Sequence, residues 1–118
     1  YEMQRPSLDD HLVLQETMEQ CILADEVGFD YLWFVEHHFL TGFSASPCPD
    51  LIFAALSQRT KRIRLGLGVV ILPYHHPNRV AERVAMLDHL SEGRVDFGTG
   101  RSAPYELTGM PGRKETCP

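Results

Sequence analysis

Apolar residues recur with helical spacing in the first part of the chain and then gather into short unbroken runs. Between Leu8 and Val27, the residues Leu14, Met18, Cys21 and Ile22 stand at i, i+4, i+7 and i+8, one face of an amphipathic helix. Pro6 and Ser7 precede it as start signals, and Gly28 suits a left-handed cap at its end. Tyr31-Leu32-Trp33-Phe34-Val35 is apolar throughout, which predicts a short strand buried on both faces of a parallel sheet. Asp50 to Gln58 predicts a second helix with Ile52, Ala55 and Leu56 inward. Arg59, Lys61 and Arg62 follow at its C-terminal end, where the helix dipole favours cations. Ile63 to Leu72 predicts a second strand, which Pro73 stops. His76-Pro77 reads as an N-cap and first helical residue. Val80, Val84 and Leu87, with Ala81 and Ala85 beside them, then give a third helix ending near Gly93. Arg94 to Phe97 predicts a third strand. Residues 102 to 118, rich in Pro and Gly, predict irregular chain.

The order α-β-α-β-α-β, repeating about every 30 residues, indicates an α/β fold with a parallel sheet. A complete (β/α)8 barrel needs about 250 residues, so 118 residues hold fewer than half of its units. Eleven Lys and Arg against 16 Asp and Glu give a net charge of −5, which disfavours a nucleic-acid or anionic-membrane surface. No apolar run approaches the roughly 20 residues that span a bilayer. The chain opens on Tyr1 without a charged-then-apolar leader. Cys21, Cys48 and Cys117 form neither a disulfide framework nor a zinc pattern and suit a reducing, cytoplasmic setting.

In parallel α/β folds the chemistry sits at the C-terminal ends of the strands. Glu36-His37-His38 follows the first strand, Tyr74-His75-His76 the second, and Gly98-Thr99-Gly100-Arg101 the third. His11 and His89 fall on helices and read as surface or packing residues. Adjacent histidines in extended chain point to opposite sides, so one of His37 and His38 faces a given pocket. Such a histidine acts as acid, base or hydrogen-bond donor, or is simply solvated. Metal ligation is disfavoured, because HExxH and His-x-His spacings are both absent. Gly98 to Ala103 matches GxGxxA, but Pro104 and Tyr105 stand where a dinucleotide-binding helix should open. The plainer readings are a phosphate against the glycines with Arg101 supplying charge, or an ordinary loop. Gly66 and Gly68 inside a strand suggest a flat ligand or another backbone packed closely, or else a bulge.

Taken together, "LADEVGFDYLWFVEHHF", "RIRLGLGVVILPYHHPNRVAERVAMLDHLSEGRVDFGTGRS" and "YELTGM" resemble the bacterial luciferase-like, flavin-dependent monooxygenase family over about residues 1 to 110. The resemblance implies the N-terminal part of a (β/α)8 barrel, lacking the first strand and the C-terminal half. It implies reduced FMN as cofactor, or a deazaflavin in some branches, often delivered by a flavin reductase. It also implies O2 and a small organic substrate, oxidised through a flavin 4a-peroxide, and a homo- or heterodimer in the full-length protein. By resemblance His37 is the catalytic histidine, with His38 a weaker candidate beside it. Gly68-Val69 matches the family's non-prolyl cis peptide under the flavin ring, and Arg101 matches a residue that holds the FMN phosphate. His76-Pro77 and Arg79 match a structural loop. Luciferase has a cysteine where this chain has Gly100, so a monooxygenase without light emission is expected. The alternatives are a flavin-binding or inactive barrel fragment, and a metal-dependent barrel hydrolase using His37, His38 and His75.

Overall fold

The computed structural model describes Met3, residues 9–40 and residues 43–107. Its elements are α1 (Asp10–Val27), β1 (Tyr31–Phe34), α2 (Pro49–Ser57), β2 (Arg64–Ile71), α3 (Pro77–Leu90), β3 (Val95–Gly100) and α4 (Pro104–Leu107), with a 3-10 turn over Leu72–Tyr74. Pro6, Ser7 and residues 108–118 lie outside the described residues. The cap of α1 is Asp9, whose carboxylate accepts from the Leu12 backbone N–H at 3.1 Å. Gly28 ends the helix at φ 98°, the left-handed conformation that glycine adopts without a Cβ penalty.

The three strands are parallel and pair in the order β1-β2-β3. With right-handed crossovers, strands laid down in sequence order keep every connecting helix on one side. The helices do form one layer, α1 against α2 and α2 against α3. A doubly wound sheet reverses its order and carries helices on both faces. This arrangement fits an arc of a (β/α)8 barrel, and Gly98 and Gly100 lie within β3 rather than in a loop that opens a helix, which tells against the dinucleotide-binding reading of Gly98 to Ala103.

One covered face explains where burial departs from the sequence pattern. In β1, Leu32 and Phe34 are buried, whereas Tyr31 and Trp33 remain 50% and 47% exposed. The strand expected to be buried on both faces is therefore buried on the helix side alone. The buried row of α1 is Val13, Thr17, Cys21 and Asp25, with Leu14, Met18 and Ile22 partly buried beside it. In α2 the fully buried residues are Phe53 and Leu56, and Ala55 faces outward. Phe34 and Phe53 meet with ring centroids 4.8 Å apart, joining β1 to α2. In α3, Val80 and Leu87 are buried while Ala81 and Ala85 are exposed.

At the N-terminal end of the sheet two charged side chains tie the chain segments together. The Asp25 carboxylate accepts from the backbone N–H groups of Lys61, Arg62 and Ile63 at 2.9, 3.0 and 2.7 Å. Burial alone would raise its pKa, but these bonds, with the nearby Arg62 charge, hold it below the ordinary value. The Arg94 guanidinium donates to the carbonyls of Ser57, Thr60, Ile63 and Ser91 and to Thr60 Oγ1, all within 3.2 Å. It thereby ties the ends of α2 and α3 to the start of β2.

The strand glycines are explained by close approaches. On the uncovered face the Trp33 indole lies across Gly66, where a Cβ would come 2.5 Å from its Cδ2. Between Leu67 and Val70 the β2–β3 register shifts, and within that bulge the Gly68-Val69 peptide is cis, at the pair the resemblance indicated. Opposite the bulge, a Cβ on Gly98 would stand 2.7 Å from the Leu67 carbonyl, and one on Gly100 2.5 Å from Val69 Cγ2. β3 continues through Gly98-Thr99-Gly100, which the sequence placed after the strand. The segment after it, expected to be irregular, contains the helical turn α4.

Gly66→Ala should therefore destabilise the fold by about 1–3 kcal/mol, the usual range for overpacking. Combined with Trp33→Ala, the same substitution should add little further loss. Urea unfolding of the two single variants and the double variant measures this. Equal costs of Gly66→Ala in both backgrounds would show that the ring is not the obstacle.

Candidate active site

The C-terminal ends of the three strands carry two buried carboxylates, each matched to a histidine from the Glu36-His37-His38 segment. The segment leaves β1 as a loop secured at two points. Ser46 donates its hydroxyl to the Val35 carbonyl at 2.5 Å, and the His37 backbone N–H donates to the Ser46 carbonyl at 2.9 Å. Adjacent side chains then diverge, as expected for extended chain.

His37 turns toward α4. Its Nδ1 lies 2.7 Å from Glu106 Oε1, and the His38 backbone N–H donates to the same oxygen at 3.2 Å. The other oxygen accepts from Ser102 Oγ and from the Ala103 backbone N–H. Glu106 is 2% exposed, and burial alone would raise its pKa. The hydrogen bonds from Ser102, His37 and the two backbone groups outweigh burial and hold it below the ordinary glutamate value. An ionised carboxylate only accepts, so the shared proton resides on Nδ1 of His37. That fixes both the orientation and the tautomer of the ring.

His38 turns the other way. Its Nε2 is 2.7 Å from Glu36 Oε1, and His75 Nε2, beyond β2, is 2.6 Å from the same atom. Glu36 Oε2 accepts from the Ile71 backbone N–H at 3.2 Å, which clamps the end of β1 to the end of β2. The His38 ring packs on Tyr74 at a centroid distance of 4.5 Å. The trio His37, His38 and His75 is thus not assembled as the hydrolase alternative requires, because His37 belongs to the Glu106 pair.

Arg101 follows β3 directly and is exposed, while Gly68 and Val69 lie half-buried in the β2 bulge. The spaces beside Gly98 and Gly100 are filled by β2 atoms. These glycines let two strands pass closely, which replaces the reading that they open the backbone to a phosphate. A cleft of about 560 Å³ adjoins His37 and His38 and is walled by Leu14, Phe39, Leu51 and Ile52 among others. His76 caps α3, accepting from the Asn78 backbone N–H at 3.3 Å, as its sequence position suggested. Glu36 reads only as part of the strand-end cluster with the two histidines, and Glu106 is not singled out as functional in the sequence. Glu36 is adjacent to the histidines, but Glu106 lies 69 residues from His37 inside a segment that reads as loop.

Three comparisons bear on this geometry. A family model described as luciferase-like monooxygenase matches residues 3–114. Limonene 1,2-monooxygenase of Rhodococcus erythropolis is 46% identical over 96 residues, covering 81% of this chain and 24% of that protein. The oxygenase component of flavin-dependent trigonelline monooxygenase from Acinetobacter baylyi is 42% identical over 88 residues, covering 75% of this chain and 24% of its own length. Among solved structures, the oxygenating constituent of 3,6-diketocamphane monooxygenase from Pseudomonas putida, in complex with FMN, superposes with a TM-score of 0.84 at 29% identity. It covers 92% of this chain and 29% of that one. The chain therefore spans about a quarter of the length of these relatives. No helix among the described residues is long and apolar enough to cross a membrane.

Glu106 supplies a pH signature. Its folded pKa is lowered, so its bonds stabilise the fold fully above the ordinary value of 4.5, and that contribution is lost as pH falls through the folded value. Glu106→Gln should cost about 1.5–3 kcal/mol near neutrality, the usual worth of hydrogen bonds to a charged group. It should also flatten the acid limb of a stability-against-pH curve, leaving the share that Asp25 contributes by the same sign. An acid limb unchanged in the variant would show that folding does not lower the Glu106 pKa.

Proposed function

We infer that this chain, which belongs to the luciferase-like monooxygenase family, contributes the histidine end of a flavin-dependent oxygenation site. The observation that carries the reading is the His37–Glu106 pair at the C-terminal edge of a family-matched barrel arc. The proposed reaction is oxidation of a small organic substrate by O2 with reduced FMN. The FMN in the diketocamphane enzyme structure supports that choice over a deazaflavin. A separate reductase partner is proposed on the same footing, since the Acinetobacter relative is named an oxygenase component.

The residues present fit a flavin on three counts. Arg101 brings an exposed guanidinium to the end of β3, suited to a phosphate. Gly68 carries no side chain on the strand face that Trp33 flanks. His37 presents an imidazole whose tautomer is set from behind by Glu106. When bound, reduced flavin supplies the electrons that make O2 reactive toward the substrate. With Nδ1 holding its proton against Glu106, Nε2 is the atom at which His37 accepts or returns a proton. Glu106 offsets the positive charge that forms on the ring while it holds that proton. The largely apolar cleft wall beside His37 suits a largely hydrocarbon substrate.

His37→Ala should lower oxygenation by about 10²- to 10⁴-fold, the usual worth of a general acid–base group, while FMN binding is retained. Oxygen uptake with reduced FMN and terpene or ketone substrates, read beside FMN titration, checks both parts. Turnover that survives His37→Ala would remove the histidine from the chemistry, and bound FMN without any turnover would favour a flavin carrier. Arg101→Ala should weaken FMN binding by about 10- to 100-fold, one charge-assisted contact, and riboflavin binding far less. An equal loss for both ligands would mean that Arg101 does not meet the phosphate. Tighter binding of a deazaflavin than of FMN would reassign the cofactor.

A further inference from the structure

Glu36, His38 and His75 serve no step in that scheme, yet they converge. Among the described residues they form a group of three whose ligand atoms all lie within 4.8 Å of one another. Both imidazoles present Nε2 to the same carboxylate oxygen, at 2.7 and 2.6 Å. We propose that Glu36, His38 and His75 are a two-histidine, one-carboxylate site for a divalent transition metal, with Zn²⁺ the expected occupant.

The donor set favours that choice, since two neutral imidazoles and one carboxylate suit zinc, whereas Mg²⁺ and Ca²⁺ prefer oxygen ligands. The two nitrogen–carboxylate separations are close to what a tetrahedral ion needs, and the two nitrogens, within 4.8 Å of each other, draw together around it. Metal–ligand bonds of about 2.0–2.2 Å place neighbouring ligand atoms roughly 3.3 Å apart, so each nitrogen retreats from Glu36 by well under 1 Å. The carboxylate is already oriented, because its second oxygen is fixed by the Ile71 backbone N–H. Support of this kind holds a metal ligand in place. The nearby charges also favour a cation. Behind Glu36 a cavity of about 20 Å³ is lined by Asp50 and Arg83, and those two pair with each other at 2.7 Å. Two carboxylates, Glu36 and Asp50, therefore stand against one guanidinium there. His38 and His75 are 19% and 16% exposed, which leaves an approach for the ion. His38 adjoins His37, so the ion would sit beside the proposed reaction site without sharing a ligand with it.

Equilibrium dialysis of the tag-free chain against Zn²⁺, with Mg²⁺ in parallel, tests the proposal. One tightly bound Zn²⁺ per chain is expected, with no stoichiometric Mg²⁺. His75→Gln should weaken Zn²⁺ binding by more than about 100-fold, since even loss of a ligand's supporting contact costs about 10- to 100-fold. His89→Gln, on the exposed side of α3, should leave binding unchanged. Absence of stoichiometric Zn²⁺, or binding that survives His75→Gln, overturns the site. If His75→Gln fails to fold by circular dichroism, Co²⁺ added to the unaltered chain decides. Intense visible bands of a low-coordinate nitrogen–oxygen site support the proposal, and the weak spectrum of aquated Co²⁺ refutes it. Flavin binding and oxygenation are read separately, so failure here leaves the His37 reading untouched.

Discussion

The hydrogen bond between His37 Nδ1 and Glu106 joins the ends of β1 and β3 over 2.7 Å and 69 residues of sequence. Much of the candidate site depends on it. A carboxylate that is 2% exposed stays ionised only if donors surround it, and His37, Ser102 and two backbone N–H groups do so. Those donors come from the loop after β1 and from the turn that opens α4. Both segments must therefore be in place before the histidine is oriented. The arrangement of this edge is thereby a property of the parallel sheet, because parallel strands bring these two loops to the same end.

Glu36 plays a parallel role between β1 and β2. Its two oxygens meet His38, His75 and the Ile71 N–H, so the chain ends beyond two strands are held by one side chain. At the opposite end Asp25 and Arg94 do the comparable work for the segments that enter β2. The sheet is thus fastened at both rims by buried carboxylates, joined at the N-terminal rim by the part-buried Arg94. Between the rims, the buried apolar core lies on the helix side. The other face carries Trp33 across Gly66, and the Arg64–Asp96 pair at 2.7 Å.

Much of this was legible in the residues. The alternation of helix and strand, the Gly28 cap and the His76-Pro77 start all follow from local rules and stand in the structure. The glycine pair Gly66 and Gly68 announced a close approach, and the object that approaches Gly66 is Trp33, a residue of the preceding strand. What periodicity could not supply is which side lacks a partner. Tyr31 and Trp33 look like core residues by type, and they are half exposed because helices cover one face only. The row Val13, Thr17, Cys21 and Asp25 was hidden for a related reason. A buried threonine and a buried aspartate break the apolar stripe, and the aspartate is there to receive three backbone N–H groups. The carboxylate partners were the least legible part of the site. Glu106 sits among Pro and Tyr in a segment with no periodic pattern, and the ligand group of Glu36, His38 and His75 is scattered across two strand ends, so no spacing motif flags it.

The central claim is that Glu106 holds the proton on Nδ1 of His37. Long-range ¹H–¹⁵N correlation spectra of the imidazole rings, taken at a pH where the rings are neutral, test it most directly. The account predicts that His37 carries its proton on Nδ1, with Nε2 unprotonated. A His37 ring protonated on Nε2 in the folded protein would contradict it.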